Sequence, residues 1–174
     1  MHSNFYGSFL ALTFKDKIYR DYVNVKQEVR DLEVQNLVIS LREDGYFGFV
    51  GGTAEKGETE IETLARECKE EANIDIFALE RLTKVSEYVL PDGFVVKLFH
   101  AEISKEEALN VILQSAFSEH FLTETAGLVS IACRKNSAFM KNAFLPLMGK
   151  QFVDLGILLD DEVLKSWGNE QWKS

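Results

Sequence analysis

Three glutamates, Glu67, Glu70 and Glu71, stand at i, i+3 and i+4 in a segment that reads as a helix. Ile61, Leu64, Ala65, Cys68 and Ala72 recur through the same segment at helical spacing and make one apolar face. The glutamates share the side away from that face, within about 6 Å of one another. Their mutual repulsion costs a few tenths of a kcal/mol per pair, and only Arg66 and Lys69 flank it. A solvated acidic face is one use of such a pattern. The other is a metal site, because a hard divalent cation such as Mg²⁺ takes oxygen ligands and relieves the clash directly. The residues just upstream favour the second use. Gly51, Gly52 and Gly57 read as a flexible, turn-rich approach to the helix, with Glu58 just before its first turn. Glycine lets backbone come close to a ligand, and a helix N-terminus favours anions.

The charge balance supports borrowed positive charge. The 174 residues carry 19 Lys and Arg against 28 Asp and Glu, a formal charge of −9. Such a chain is poorly suited to bind nucleic acid by phosphate neutralisation alone. If its substrate is a phosphate, a divalent metal is the simplest source of compensation.

The register of these residues resembles the Nudix box, the signature of Nudix hydrolases: Gly, five residues, Glu, seven residues, then Arg-Glu-aliphatic-x-Glu-Glu-x-Gly-aliphatic. Here Gly52 is followed by five residues and Glu58, and seven more lead to Arg66-Glu67-Cys68-Lys69-Glu70-Glu71-Ala72-Asn73-Ile74. Cys68 stands in place of an aliphatic, and a buried cysteine behaves as a small hydrophobe. Asn73 replaces the glycine that ends the helix, and Asn is the next most tolerant residue of the left-handed conformation.

Flanking pieces resemble the Nudix subgroup that includes small-nucleolar-RNA-decapping and inosine-diphosphate-hydrolysing enzymes. They are Arg42 to Gly52 before the box, Phe94-Val95-Val96 with Phe99 after it, Thr123 to Val129, Phe139 to Phe144, Lys150-Gln151 and Asp154-Leu155-Gly156. Val50 replaces a Pro common in the subgroup, and Tyr88 falls near the place of a substrate-contacting His, which leaves base and sugar specificity open.

The resemblance implies roles. Glu67, Glu70 and Glu71 are the expected metal ligands for Mg²⁺ or Mn²⁺, one of them also the base, with the Gly52 carbonyl as a further ligand. Arg66 is expected to orient the glutamates through bidentate bonds that Lys could not reproduce, and Glu58 to brace the loop. Glu124 is the candidate for a remote ligand, with Glu119 as the alternative. Arg42, Phe49 and Gly51, together with Phe139, Asn142 and Phe144, match subgroup positions on the nucleotide side. Phe49 has a core role as its alternative, and the second group a packed helix face. His100 and His120 read as incidental to the chemistry.

These residues need elements to hold them. Ser8–Phe14 and Val34–Leu41 read as strands, Arg42 to Gly45 as a turn, and Tyr46 to Val50 as a short apolar run ending at the glycines. A helix is expected from about Glu58 to Ala72. Ile76 to Leu90 and Phe94 to Ile103 read as strands joined by Pro91-Asp92-Gly93. Lys105 to Gln114 reads as a helix, Ala126 to Ala132 as a strand, and Ser137 to Leu158 as a second long helical pattern. Elements alternate without a regular βαβ rhythm, which favours a mixed sheet with helices on it. The resemblance makes this an α/β/α sandwich. One domain spans residues 1–174, its last dozen residues, with Trp167 and Trp172, a tail. Thirteen Phe suggest a core built partly on rings.

Cys68 and Cys133 make no disulfide framework, and no apolar run is long enough to span a bilayer. A cytoplasmic protein is expected, and by subgroup analogy and the apolar Ser8–Phe14 stretch, a homodimer. The expected activity is metal-dependent hydrolysis of a nucleoside diphosphate linked to another group, with the RNA 5′ end as first substrate. A basic strip at Arg134, Lys135, Lys141 and Lys150 could receive the RNA. One alternative is a small-molecule hydrolase of ADP-ribose, a dinucleotide coenzyme or inosine diphosphate, towards which the acidic charge leans. Another is a non-catalytic nucleotide- or RNA-binding module, which has no reason to keep three clustered acids.

Overall fold

The computed structural model describes residues 5–17 and 33–132. Seven strands make one mixed sheet: β1 (Tyr6–Lys17), β2 (Glu33–Arg42), β3 (Phe47–Gly48), β4 (Val50–Thr53), β5 (Thr83–Val89), β6 (Val95–Glu102) and β7 (Thr125–Ala132). Two helices, α1 (Glu60–Ala72) and α2 (Lys105–Ser115), and a 3₁₀ turn at Ile76–Ala78 complete the described elements.

β1 is the axis of the sheet. One edge pairs parallel with β6, from Tyr6↔Val95 to Thr13↔Glu102. The other edge is shared: β4 takes its first half, Gly7↔Thr53 to Leu10↔Val50, and β2 its second, Leu12↔Val38 to Lys17↔Glu33. Beyond Val38 the two strands part. The β3–β4 segment fills the wedge, since β3 pairs Ser40 and Leu41 of β2 while β7 pairs the opposite edge of β2. The wedge places the start of the box beside the N-terminal half of β1.

The side chains of β1 alternate between two buried faces, as expected of a central strand. Leu10, Leu12 and Phe14 pack with Leu64, Cys68 and Ala72 of α1 and Ala108 of α2 in one core. On the other face Ala11, Thr13, Leu37, Ile39 and Leu98 are buried too. Both described helices lie on the first face; the second helical layer of the expected sandwich, with the Ser137–Leu158 helix and the tail, lies outside the described residues. Phe14, Phe49 and Phe99 are in the core, but the largest fully buried side chains are mostly aliphatic, and Phe5, Phe77 and Phe117 are exposed.

Three expectations change. The Ile76–Leu90 run is not one strand, because the Asp75 carboxylate caps the Phe77 N–H and opens a 3₁₀ turn before β5 begins. Gly51 and Gly52 do not form a loop but sit inside β4. The apolar Ser8–Phe14 stretch is paired along both edges and covered on both faces, so it offers no dimer surface. No helix among the described residues is long and apolar enough to cross a membrane.

Candidate active site

Helix α1 is stopped at both ends by its own sequence. Thr59 caps the N-terminus in a capping box with Glu62: the Thr59 side chain accepts the Glu62 N–H and the Glu62 carboxylate accepts the Thr59 N–H. The helix therefore begins two residues later than the apolar spacing suggests. At its other end Asn73 adopts the left-handed conformation, φ 55°, as expected of the residue replacing glycine. Cys68 is fully buried, and burial pushes its thiol well above the ordinary range.

Arg66 is the hub of the acidic residues. Its Nε and Nη2 bind the two oxygens of Glu58 at 2.8 and 3.1 Å, a fork-on-fork pair. Nη1 donates to Glu67 Oε1 at 2.9 Å and Glu70 Oε2 at 3.1 Å, and Nη2 also reaches the Thr53 carbonyl at 3.0 Å. The bidentate partner is thus Glu58, while Glu67 and Glu70 each receive one bond. Glu58 further accepts the Glu55 N–H and the Thr63 hydroxyl, and Arg66 foremost holds its carboxyl down to about 2. Glu58 is the brace of the loop between β4 and α1, and the same bonds raise Arg66 above its usual range.

Glu71 does not lie on a solvated face. It is 9% exposed, and the Gly51 N–H donates to its Oε2 at 3.0 Å. Burial lifts its carboxyl to about 7, helped by the charges of Glu67 and Glu124 and opposed by Gly51 and Arg42. Glu67 is raised as well, first by burial and then by Glu70 and Glu124, against the pull of Arg66. Two carboxylates that resist ionisation, side by side against a strand, are costly unless something cationic joins them.

The two glycines of β4 make this approach feasible. A Cβ at Gly52 would sit 2.5 Å from Glu67 Oε1. One at Gly51, where φ is 138°, would strike the Ser8 carbonyl oxygen at 2.1 Å. Gly52 thus admits the Glu67 carboxylate, and Gly51 the close pairing of β4 with β1. The Gly51 N–H, expected on the nucleotide side, is committed to Glu71.

The loop before β7 brings Glu124 to within electrostatic reach of Glu67 and Glu71. Glu119 is exposed. The loop is tied to α1 by the His120 N–H, which donates to the Glu70 carbonyl at 2.9 Å. Arg42 ends β2, bonded to Asp44 at 3.2 Å from both Nε and Nη2. Phe49 is 6% exposed, so its ring serves the core and has little surface to offer a base. Tyr88 lies on β5. His100 bonds the Thr13 hydroxyl through Nε2 at 2.8 Å. Phe139, Asn142, Phe144 and the basic strip lie outside the described residues.

Mg²⁺ or Mn²⁺ suits this donor set. Glu67, Glu70, Glu71, Glu124 and the Gly52 carbonyl are oxygen donors only, the space a Gly52 side chain would fill is occupied by a carboxylate, and that carboxylate and Glu71 lack a full counter-charge. Among the described residues no three acidic, His or Cys side chains are grouped closely enough to hold a metal ion as they stand. Arg66 bonds Glu67 and Glu70, and the Gly51 N–H bonds Glu71.

A family model described as Nudt16-like, U8 snoRNA-decapping enzyme-like, matches residues 22–158. The chain belongs to the Nudt16-like family of Nudix hydrolases. Solved structures agree on the fold. A mutT/nudix family protein from Listeria innocua superposes with a TM-score of 0.53 at 14% identity, covering 91% of each chain. A C. elegans Ap4A hydrolase superposes with a TM-score of 0.51 at 15% identity, covering 87% of this chain and 95% of that one. No curated protein matches the sequence. In this Nudt16-like chain the residues of the box are the ones the fold gathers: Gly52, Glu58, Arg66, Glu67, Glu70 and Glu71. Sequence reasoning missed the Gly51–Glu71 bond and the Arg66–Glu58 fork, neither of which has a signal in helical spacing. It also missed the capping box, whose Thr-x-x-Glu pattern is written in residues 59–62.

Proposed function

We propose that the chain is a divalent-metal-dependent pyrophosphohydrolase that cleaves a nucleoside diphosphate linked to another group, with the RNA 5′ end as its substrate. The observation that carries this reading is the pair of buried Glu71 and half-buried Glu67, held against Gly51 and Gly52 and, at Glu67, steered by Arg66. Glu67, Glu70, Glu71, Glu124 and the Gly52 carbonyl would hold Mg²⁺ or Mn²⁺. Bound there, the metal supplies charge neutralisation of the pyrophosphate and a lowered pKa for coordinated water. The chain does the rest. Arg66 fixes the acids through bonds to four partners, and Glu58 fixes Arg66. One of the three box carboxylates takes the proton of the attacking water as its oxygen bonds to phosphorus. The bridging P–O bond breaks and its oxygen leaves with the second product, so that a nucleoside monophosphate or diphosphate and the remainder of the substrate are released. Arg42, Phe139, Asn142 and Phe144 are assigned to the nucleotide side by subgroup analogy.

The family description supports an RNA end as the linked group. The formal charge of −9 favours a second reading, a small nucleotide such as ADP-ribose, a dinucleotide coenzyme or inosine diphosphate. The protein is proposed to act in the cytoplasm as a homodimer, the latter now on subgroup analogy alone. A panel of capped RNA, triphosphate-ended RNA and these small nucleotides, with products identified by mass, tests the assignment. Turnover with Mg²⁺ that vanishes in excess chelator is expected. Full turnover in chelator overturns metal dependence, and turnover of small nucleotides alone replaces the RNA reading by the second.

A further inference from the structure

The segment from Ser115 to Thr125 turns tightly around one residue. The His120 carbonyl accepts the Thr123 N–H at 3.1 Å, the Glu124 N–H at 3.1 Å and the Thr123 hydroxyl at 3.0 Å. Its own N–H is bonded to Glu70 of α1. His120 is therefore fixed to the acidic helix on one side and wrapped by the Glu124 loop on the other. Its ring follows the same path. Nδ1 is buried, has no hydrogen-bond partner among the described residues and faces Glu124 Oε2 at 3.5 Å.

A buried ring nitrogen without a partner is costly, and the nearby Glu124 oxygen is the acceptor that relieves it. Closing the gap by about half an ångström gives an ordinary N–H···O⁻ hydrogen bond, stronger than a neutral one. Glu124 needs such a hold. Its carboxylate is 57% exposed, and the charges of Glu67 and Glu71 repel it. Nothing else among the described side chains pairs with it.

We propose that His120 is a positioning residue: as the Nδ1–H tautomer it donates to Glu124 and sets that carboxylate towards the Glu67–Glu71 pair. This rests on Glu124 belonging to the acidic site, and it gives a function to a histidine that the sequence leaves incidental. The bond acts through orientation of a carboxylate, as residues behind metal ligands commonly do, at a cost of about 10–100-fold when they are lost.

The test has a readout that does not need turnover. Long-range ¹⁵N–¹H correlation on the full-length, metal-free chain at about pH 8, where a histidine ring is ordinarily neutral, reports the tautomer of His120. Nδ1–H is expected in the wild type, reverting to Nε2–H in Glu124→Ala. Nε2–H in the wild type, or no change in Glu124→Ala, overturns the proposal even if the protein proves to be an active hydrolase. Kinetics then measures the effect. On whichever nucleotide is turned over, His120→Ala should lower kcat about tenfold or more with little change in KM. His120→Asn, which keeps a side-chain N–H donor, should recover part of that loss, and His120→Ala added to Glu124→Ala should cost little more. Full additivity, or equal loss in His120→Asn and His120→Ala with intact melting, overturns it. If no nucleotide is hydrolysed, the functional reading fails while the tautomer still decides this one.

Discussion

Helices α1 and α2 begin with the same device and end in different environments. Thr59 with Glu62 and Ser104 with Glu107 form equivalent capping boxes, and both helices lie on one face of the sheet. α2 behaves as an ordinary amphipathic helix at a rim. It buries Ala108 and Ser115, and leaves Leu109 and Leu113 exposed. α1 is sunk against β4 and β1 and takes a carboxylate in with it, Glu71, while Arg66 fastens Glu67 and Glu70 at the edge. A stable helix does not need that arrangement. Burying carboxylates that resist ionisation lowers stability, so packing accounts for α2 but not for the acids of α1.

The largest effect that sharpens this contrast is on turnover. Glu71→Gln and Glu67→Gln keep shape and remove charge, and each should reduce hydrolysis by about 10²-fold or more, the scale of a lost acid–base group. Neither should lower the melting temperature of the metal-free protein, since Glu71→Gln relieves a buried carboxylate and a glutamine at 67 still accepts the Arg66 bond. Glu107→Gln on α2 should leave turnover unchanged. A melt that collapses in Glu71→Gln, with turnover per folded molecule intact, would make the acids structural and dissolve the difference between the helices.

A smaller effect reads the environment of α1 by pH. The Glu71 carboxyl is raised to about 7 in the folded chain from an ordinary 4.5. Between those values the folded state holds a proton that the unfolded state has released, so stability is fully present below 4.5 and lost as pH rises through 7. The loss is on the order of 3 kcal/mol. Glu58 works in the other window: held down to about 2 by Arg66, it adds stability above 4.5 that is lost as pH falls towards 2. Denaturant titrations of the metal-free chain should therefore show stability falling from pH 4.5 to 7, and Glu71→Gln should flatten that slope. A slope unchanged in Glu71→Gln would assign it to another group.

Arg66→Lys comes next. A lysine cannot span Glu58, Glu67, Glu70 and the Thr53 carbonyl together. Turnover should drop about tenfold by analogy with lost orienting groups, and the chain should melt earlier, because Glu58 loses its forked partner. Unchanged kinetics would mean that the acids are placed by β4 alone.

Much of this was legible in the residues. The register from Gly52 to Ile74 identified the box, apolar spacing located α1, α2, β1, β2, β6 and β7, and Asn73 announced its own left-handed turn. Three things were hidden because they depend on what lies across from a residue. Helical spacing placed the glutamates on a face but not that face against β4. Glycine content suggested a loop at Gly51-Gly52, whereas the pairing with β1 demands glycine within a strand because a Cβ would strike Ser8. The apolar run from Ile76 looked like strand until Asp75 capped Phe77 and turned it. His120 and Glu124 are four apart without a helix between them, so no periodicity pointed to the pair.

The smallest effect uses the two caps themselves. Thr59→Ala and Ser104→Ala each remove one hydroxyl acceptor from an equivalent capping box, and each should cost about 1 kcal/mol of stability. If the helices differ only in what they carry, the two variants should melt alike and catalyse differently. Thr59 follows Glu58 directly, and Glu58 takes the Arg66 fork, the Glu55 N–H and the Thr63 hydroxyl. Loosening the first turn of α1 lets that brace shift and moves Arg66 with it, so Thr59→Ala should lose turnover several-fold. Ser104 starts a helix that packs on the apolar side of α1, away from its acids, and Ser104→Ala should keep wild-type turnover per folded molecule. Melting curves and initial rates on the same samples decide the matter. Equal kinetic losses would show that the sheet transmits strain from both helices to the site, and no loss in either would show that the Arg66 network holds its geometry without the cap.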